Sequence, residues 1–196
     1  LGGKAAIVTG GTQGIGRATA MQLAREGAAV AIAARGREML DSVAGEIRAA
    51  GGRVLAVRAD VSKAEDCDRL VAEAVKAFGR LDILVNNAGT SARGEFETVS
   101  DATWQADLDL KLFAAVRLSR LAIPYMKQQG AGRIINVTNI GAKQPRAGSM
   151  PTSVSRAAGL ALTKALSKEL APHNILVNAV CIGSVRAGQH ERRAAG

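Results

Sequence analysis

The sequence predicts a single α/β domain in which a doubly wound parallel sheet is covered by helices on both faces. Short apolar strand-like segments alternate with helix-like segments along the whole chain, and no linker or repeat divides them. With 196 residues, 47% of them hydrophobic, the chain can bury a substantial core. Residues 1–196 are therefore assigned to one domain.

Six segments are predicted strands, namely 5–9, 29–34, 54–58, 83–86, 133–138 and 175–180. Each is short and apolar, as expected for parallel strands that are covered on both faces. The connections between them are long enough for helices, so right-handed crossovers are expected. Ligands of such a sheet bind outside the carboxyl ends of the strands. Residues that directly follow a strand are thus the first candidates for a site.

Helices are predicted between these strands. Apolar residues within 70–78 recur at helical spacing, and Ser62 with Glu65 forms a capping box that would start that helix. A long helix is expected over 101–128, bent or ended near Pro124. Another is expected to begin at Pro151, because proline is favoured in a first helical turn.

A glycine-rich segment follows the first strand and precedes a helix-like stretch that ends near Glu26. A helix that begins after such a turn presents free backbone N–H groups to a phosphate, and glycine lets the backbone approach a ligand closely. The glycine spacing alone would also fit surface loops. Its placement between a strand and a helix predicts a Rossmann-like dinucleotide-binding domain.

Three further clusters lie at the ends of later strands or form one. Asp60-Val61 follows the third strand, Asn86-Asn87-Ala88-Gly89 closes and follows the fourth, and residues 177–180 (Val-Asn-Ala-Val) form the sixth. Together with the glycine segment, these motifs resemble the short-chain dehydrogenase/reductase family over nearly the whole chain. The resemblance implies an NAD(P)(H) cofactor and a small-molecule substrate with a carbonyl or alcohol group.

The resemblance also implies which residues hold the cofactor. Gly10, Gly14, Ile15 and Gly16 would hold the pyrophosphate, Asp60 and Val61 the adenine, and Asn87, Ala88 and Gly89 the region near the nicotinamide ribose. Thr12, Gln13, Arg35, Arg156, Gly183 and Val185 complete the expected cofactor-binding set. Asn87 and Gly89 could instead simply close a turn.

Charge at the end of the second strand bears on the choice of cofactor. A carboxylate there would bind the ribose 2′-hydroxyl and repel a 2′-phosphate. The chain has Ala34 followed by Arg35, with Arg37 close behind. Because a guanidinium grips phosphate with paired donors, NADP(H) is expected in preference to NAD(H). Gln13 is neutral where many NADP-dependent relatives carry a base, and Arg35 could be a solvated surface residue.

The resemblance breaks at the positions that usually catalyse the reaction. The family commonly uses a tyrosine with a lysine four residues later, a serine ahead of them, and an asparagine on the preceding long helix. The single tyrosine, Tyr125, has Gln129 four residues on, so the pair is missing. An ungapped match over residues 133–170 gives the serine, tyrosine and lysine positions as Asn139, Thr152 and Arg156. Counting from Trp104 gives the asparagine position as Lys111.

These substitutions change the expected chemistry. A threonine hydroxyl is a much weaker acid than a phenol, and an arginine stays charged. Asn139 could donate to a carbonyl oxygen, and Lys111 could act as a general acid if its pKa were lowered; alternatively, Lys111 pairs with Asp107 one turn earlier. Two hypotheses remain: an oxidoreductase with a non-standard site, and a catalytically silent dinucleotide-binding protein that serves as a sensor or partner subunit.

The composition limits other classes of function. The net charge of +9 is compatible with nucleic-acid binding. However, basic residues are spread along the chain and aromatic residues make up only 3%, so no stacking platform is visible. A basic surface that suits an anionic cofactor is preferred, and no nucleic-acid partner is expected. Cys67 and Cys181 have no histidine at ligand spacing, so free thiols and no metal site are expected.

Location and assembly are inferred by default and by resemblance. The longest apolar run, residues 28–34, is too short to span a bilayer, so no membrane partner and a cytoplasmic location are expected. The resemblance implies a homotetramer or homodimer packed through 101–128 and 151–170. The family normally continues past Val185 with a substrate-covering segment, a last helix and a last strand, and we expect that helix and strand to be missing from 1–196.

Overall fold

The structure, a computed structural model, describes residues 1–183 and residue 185. Its strands are β1 (Ala5–Thr9), β2 (Ala29–Ala34), β3 (Val54–Arg58), β4 (Ile83–Asn86), β5 (Arg93–Gly94), β6 (Gly132–Asn139), β7 (Met150–Pro151) and β8 (Ile175–Ile182). All six predicted strands are present, four of them with the predicted bounds. The pair β5 and β7, each two residues long, was not predicted.

Six strands form one parallel sheet in the order β3-β2-β1-β4-β6-β8, while β5 and β7 pair antiparallel in a small separate ribbon. Strand order reverses between β1 and β4, which makes that position the switch point of the sheet. The predicted fold class, a doubly wound α/β sheet, is confirmed. Residues of β1 and β4 are buried throughout, because helices cover both faces.

The helices are α1 (Gly14–Arg25), α2 (Arg37–Ala49), α3 (Ala64–Phe78), α4 (Asp101–Leu108), α5 (Ala114–Gln128) and α6 (Thr152–Leu170), and a π-helical turn (Asp109–Phe113) joins α4 to α5. Two apolar clusters fill the spaces between sheet and helices. One contains buried side chains of α1 and α2, and the other contains side chains of α3, α5 and the end of α6.

The long helix differs from its prediction at Pro124. It runs through this proline to Gln128, and its interruption is the π-helical turn at 109–113 instead. Pro124 lies on the exposed side of α5, where a carbonyl that lacks its helical partner can bind water. Burial of Leu118 and Met126 on the other side stabilises the continuous helix.

The capping box predicted at Ser62 and Glu65 is wrong. Helix α3 begins at Ala64 with Lys63 at the N-cap and no side-chain cap. The Ser62 hydroxyl donates to Asp60 Oδ1 at 2.7 Å. A serine hydroxyl can donate to a nearby carboxylate or accept from a backbone N–H of the helix, and Ser62 binds the carboxylate.

Candidate functional site

A cleft of about 970 Å³ lies outside the carboxyl ends of the strands, at the switch point of the sheet. Every residue predicted to hold the cofactor lines this cleft: Gly10, Thr12, Gln13, Gly14, Ile15, Gly16, Arg35, Asp60, Val61, Asn87, Ala88, Gly89, Arg156, Gly183 and Val185. These residues come from segments that are distant in the sequence. The fold brings them to one concave surface of the size that small ligands occupy.

The loop between β1 and α1 has a backbone that requires glycine. Gly10 has a φ of +63° and Gly14 a φ of +51°. At Gly16, a Cβ atom would stand 2.2 Å from the carbonyl oxygen of Gly10. The loop therefore packs against the first turn of α1, and the N–H groups of that turn are available to an anion in the cleft.

Asn87 fastens the end of β4 to this glycine loop. Its Nδ2 donates to the Thr9 carbonyl oxygen at 2.9 Å, and its backbone N–H donates to Thr9 Oγ1 at 3.0 Å. The N–H of Ala88 donates to the same hydroxyl at 3.0 Å. Asn87 therefore has a structural role, which is to join the end of β4 to the glycine loop, and any contact with a cofactor would be additional to it.

The segment after β3 is held by two carboxylates. Asp60 Oδ1 accepts hydrogen bonds from the N–H and the hydroxyl of Ser62 at 3.1 and 2.7 Å. The Asp60 N–H donates to Asp66 Oδ2 at 2.7 Å. This N–H, together with the Arg69 guanidinium, holds the pKa of Asp66 below its ordinary value. The wall of the cleft at Asp60 is thus fixed before any ligand arrives.

Cys67 supports the same wall from inside the core. Its Sγ donates to the Val61 carbonyl oxygen at 3.3 Å, and burial raises the pKa of the thiol to about 11. Such a thiol stays protonated and unreactive at neutral pH. Cys67 and Cys181 are both free.

Arg35 is exposed at the edge of the cleft, directly after β2. The guanidinium of the nearby Arg37 is engaged by Asp41 at 2.8 Å. No carboxylate forms an ion pair with Arg35 in residues 1–183 or at 185. Its guanidinium is therefore open to an anionic ligand.

A buried polar network lies behind the other end of the cleft. Lys111 Nζ donates to Asp107 Oδ1 and, at 2.9 Å, to Thr152 Oγ1. Thr152 Oγ1 donates to Asp107 Oδ1 at 3.1 Å, and Ser155 Oγ donates to Asp107 Oδ2 at 2.6 Å. The side chains of Lys111 and Asp107 are 0% and 1% exposed. The pairing of Lys111 with Asp107, raised as an alternative to catalysis, is present.

This network leaves the Thr152 hydroxyl without a proton for a substrate. Its single hydrogen is directed to Asp107, and its oxygen accepts from Lys111 and from the Ala92 N–H at 3.0 Å. Burial lowers the pKa of Lys111 and the charge of Arg156 adds to the lowering, while Asp107 opposes it. Lys111 does not line the cleft, but Thr152, to which it donates, does.

Arg156 is the charged residue of the predicted catalytic set that does line the cleft. One terminal nitrogen donates to the Val137 carbonyl oxygen at 2.5 Å. The other is so close to Gly89 that a Cβ atom there would stand 2.4 Å away. Burial lowers the pKa of Arg156, but a guanidinium stays protonated at neutral pH. Its Nε and the Oδ1 of Asn139, which also lines the cleft, are buried without a hydrogen-bond partner among the described residues.

Sequence reasoning missed several residues at this end of the cleft. Arg93 belongs to β5, Arg146 lies in the loop before β7, and Ser91 and Ser153 line the same surface. Strands of two residues carry no periodic pattern, so the ribbon that holds Arg93 could not be recognised. The basic loop at 143–146 was a signal that could have found Arg146.

No helix in the described part of the chain is both long and apolar enough to cross a bilayer. No group of three or more His, Cys, Asp or Glu side chains within residues 1–183 and 185 is arranged to hold a metal ion.

Comparison with known proteins identifies the relatives of this chain. Residues 4–195 match the short chain dehydrogenase family. Dehydrogenase/reductase SDR family member 4 of Homo sapiens is 38% identical over 187 residues, which are 95% of this chain and 67% of that protein. The short-chain reductase protein NovJ of Streptomyces niveus is 39% identical over 180 residues, 92% of this chain and 68% of NovJ. The 3-oxoacyl-[acyl-carrier-protein] reductase of Synechocystis is 35% identical over 192 residues, which are 97% of this chain and 78% of that reductase.

A solved structure has the same fold. It is a crystal structure of a protein provisionally described as a short-chain alcohol dehydrogenase, from Sinorhizobium meliloti. Its TM-score is 0.92 at 34% sequence identity, and the match covers 96% of this chain and 75% of that one. With its sheet order, its cleft and these relatives, the chain belongs to the short-chain dehydrogenase/reductase family of oxidoreductases.

Proposed function

We propose that this chain binds NADP(H) in the cleft and acts as an oxidoreductase on the carbonyl or alcohol group of a small molecule, through a non-standard reaction site. Members of its family bind NAD(P)(H) and act on small-molecule substrates. The observation that carries the proposal is the convergence of all the expected cofactor positions on one cleft that continues to Thr152 and Arg156.

The preference for NADP(H) over NAD(H) rests on Arg35. No carboxylate stands at the end of β2, where Ala34 is followed by this exposed guanidinium, which has no ion-pair partner in the described part of the chain. Arg35→Gln is expected to weaken NADPH binding by about tenfold to a hundredfold, since a hydrogen bond to a charged group contributes about 1.5–3 kcal/mol. NADH binding should not change.

Fluorescence titration with each nucleotide measures this difference. Arg48→Gln is a matched control, because Arg48 is exposed on α2 and does not line the cleft. Equal losses for NADPH and NADH in Arg35→Gln would contradict the preference.

The reaction site is proposed to work without a side chain that transfers a proton. When bound, NADP(H) would supply or accept the hydride. Asn139 can donate a hydrogen bond to the substrate oxygen through Nδ2, and Arg156 can bind the cofactor ribose, but neither exchanges a proton at neutral pH. Thr152 is fully engaged by its neighbours. With water as the proton donor, turnover is expected to be about 10²- to 10⁴-fold slower than with a positioned acid.

A second candidate function is dinucleotide binding without turnover, as a sensor or partner subunit. The closed network of Asp107, Lys111, Thr152 and Ser155 favours it. Binding of NADPH together with an absence of cofactor oxidation across a broad carbonyl panel would support this alternative. Measurable oxidation would support the oxidoreductase.

Restoring the residues usual in the family tests the assignment of positions. Thr152→Tyr with Arg156→Lys is expected to create or raise reductase activity. A triple variant adds Lys111→Asn to this pair, because Lys111 and Asp107 surround residue 152 with hydrogen-bonding groups. Unchanged rates in variants that fold and bind NADPH would count against the assigned positions.

Self-association is proposed through the long helices. Members of the family typically oligomerise. Phe113 on the π-helical turn is 40% exposed and Val154 on α6 is 43% exposed, so each offers apolar surface to a second copy. We expect a homotetramer or homodimer, and Phe113→Ser with Val154→Ser should shift sedimentation toward the monomer. A wild-type monomer at micromolar concentration would contradict this.

A further inference from the structure

The reaction end of the cleft has an unusual balance of charge. Arg93, Arg146 and Arg156 line it, together with Thr152 and Asn139. Among the described residues, the only acidic side chain that lines the cleft is Asp60, which follows β3 at the opposite end. The end where a substrate would lie is therefore positive, with no carboxylate from the described segments lining it to neutralise that charge.

The small ribbon brings two of these arginines together. Arg93 lies opposite Pro151 in the β5–β7 pair, and Gly94 bridges to Ser149. Arg146 is held in the turn that leads into β7, where its N–H donates to Ser149 Oγ at 3.2 Å. Two segments far apart in the sequence thus present a guanidinium to the same cleft wall.

The guanidinium groups of Arg93 and Arg146 lack carboxylate partners among the described residues. Within residues 1–183 and 185, neither forms an ion pair, whereas Arg17, Arg69 and Arg117 do. Both residues are exposed, so their charge reaches the solvent that enters the cleft. A cluster of like charges in a concave surface raises the local concentration of counter-ions.

Deeper in the cleft there are polar atoms that lack partners. Arg156 Nε and Ser91 Oγ are buried and make no hydrogen bond among the described residues. Both can donate, and buried donors without partners cost free energy that a ligand oxygen would recover. Their positions extend the polar lining from the exposed arginines to the reaction site.

We propose that the reaction end of the cleft recognises an oxyanion, a carboxylate or phosphate group carried by the small-molecule substrate, through Arg93 and Arg146. This inference names the substrate class of the site and rests on the proposed function for the reaction that follows binding. Guanidinium groups match the planar geometry of carboxylate and phosphate oxygens. Acidic oxo or hydroxy compounds are therefore expected to bind in preference to neutral ketones and alcohols.

Calorimetric titration of the NADPH-loaded protein tests this proposal with 2-oxobutyrate and with butanone, its neutral counterpart of similar size. 2-Oxobutyrate is expected to bind at least tenfold more tightly, and its binding should weaken as NaCl is raised. Arg93→Gln and Arg146→Gln should each weaken it by about twofold to fivefold, as for exposed ion pairs. Butanone and NADPH binding should remain unchanged in both variants.

Arg48→Gln, remote from the cleft, is the matched control and should not change any of these affinities. 2-Oxoglutarate and inorganic phosphate are titrated as well, to separate carboxylate from phosphate recognition. Equal binding of 2-oxobutyrate and butanone, a failure of all three anions to bind, or unchanged anion binding in both variants would overturn the proposal.

The outcome is distinguishable from failure of the proposed function. If NADPH does not bind, the proposed function fails, and the same anions are then titrated into the protein alone. Anion binding that depends on Arg93 and Arg146 would still support the inference. Anion binding that is lost only in Arg35→Gln would instead assign it to the site expected for the cofactor phosphate and would overturn the inference.

Discussion

The two ends of the cleft are built in different ways. At the nucleotide end, each contact of the glycine loop includes a main-chain atom: Asn87 binds the Thr9 carbonyl, and Gly16 packs on the Gly10 carbonyl. At the reaction end, side chains bind one another, and Asp107 and Lys111 are charged and buried. Main-chain geometry follows from the fold, whereas a side-chain network can be exchanged as a unit. A scaffold of this type can therefore keep one end while the other changes.

The largest expected effect comes from breaking the Asp107–Lys111 pair. Asp107→Leu and Lys111→Met each leave a buried charge without its partner, so each should lower the free energy of unfolding by about 3–5 kcal/mol. The free energy of unfolding should fall less in the double variant than in either single variant, because the double variant removes both charges. Urea unfolding of the four proteins measures the coupling. Additive losses would show that the network is not a unit.

A substitution at Gly16 tests the nucleotide end of the cleft. Gly16→Ala should weaken NADPH binding at least tenfold and lower the free energy of unfolding by about 1–3 kcal/mol, because its Cβ would stand 2.2 Å from the Gly10 carbonyl oxygen. Gly45→Ala is the matched control, since Gly45 is exposed in α2 and an added Cβ would meet no atom of another part of the chain within 4 Å. The free energy of unfolding of this control should rise by about 0.5–1 kcal/mol, and the control should bind NADPH normally. Equal binding in the two variants would refute the packing argument.

The smallest expected effect is the dependence of stability on pH through Asp66. The folded state lowers the pKa of Asp66, mainly through the Asp60 N–H, so its ionised form contributes stability above its ordinary pKa near 4. That contribution is lost as the pH falls through the lower folded-state pKa. Asp66→Asn should be about 1 kcal/mol less stable than wild type at pH 7. Unfolding measured from pH 7 down to about pH 3 should show this gap closing, and a constant gap would contradict the assignment.

The same contrast explains what could be predicted from the sequence. The strands follow from local periodicity and the glycine loop from conformations that favour glycine, and the expected cofactor positions do meet in one cleft. Arg93 could not be predicted because a two-residue strand has no pattern. The enclosure of Lys111 depends on Thr152, which is distant in sequence. Ser62 could accept from a helix N–H or donate to the Asp60 carboxylate, and it donates to Asp60.

The π-helical turn at 109–113 sets how far α5 is rotated about its axis relative to Lys111. Each residue added to or removed from an α-helix rotates everything after it by about 100°. Deleting one residue here would keep the chain helical but swing Ala114, Leu118 and Ala122 off the sheet. The wide turn thus lets one helix direct Lys111 toward α6 at its start and still lay its apolar row on the core.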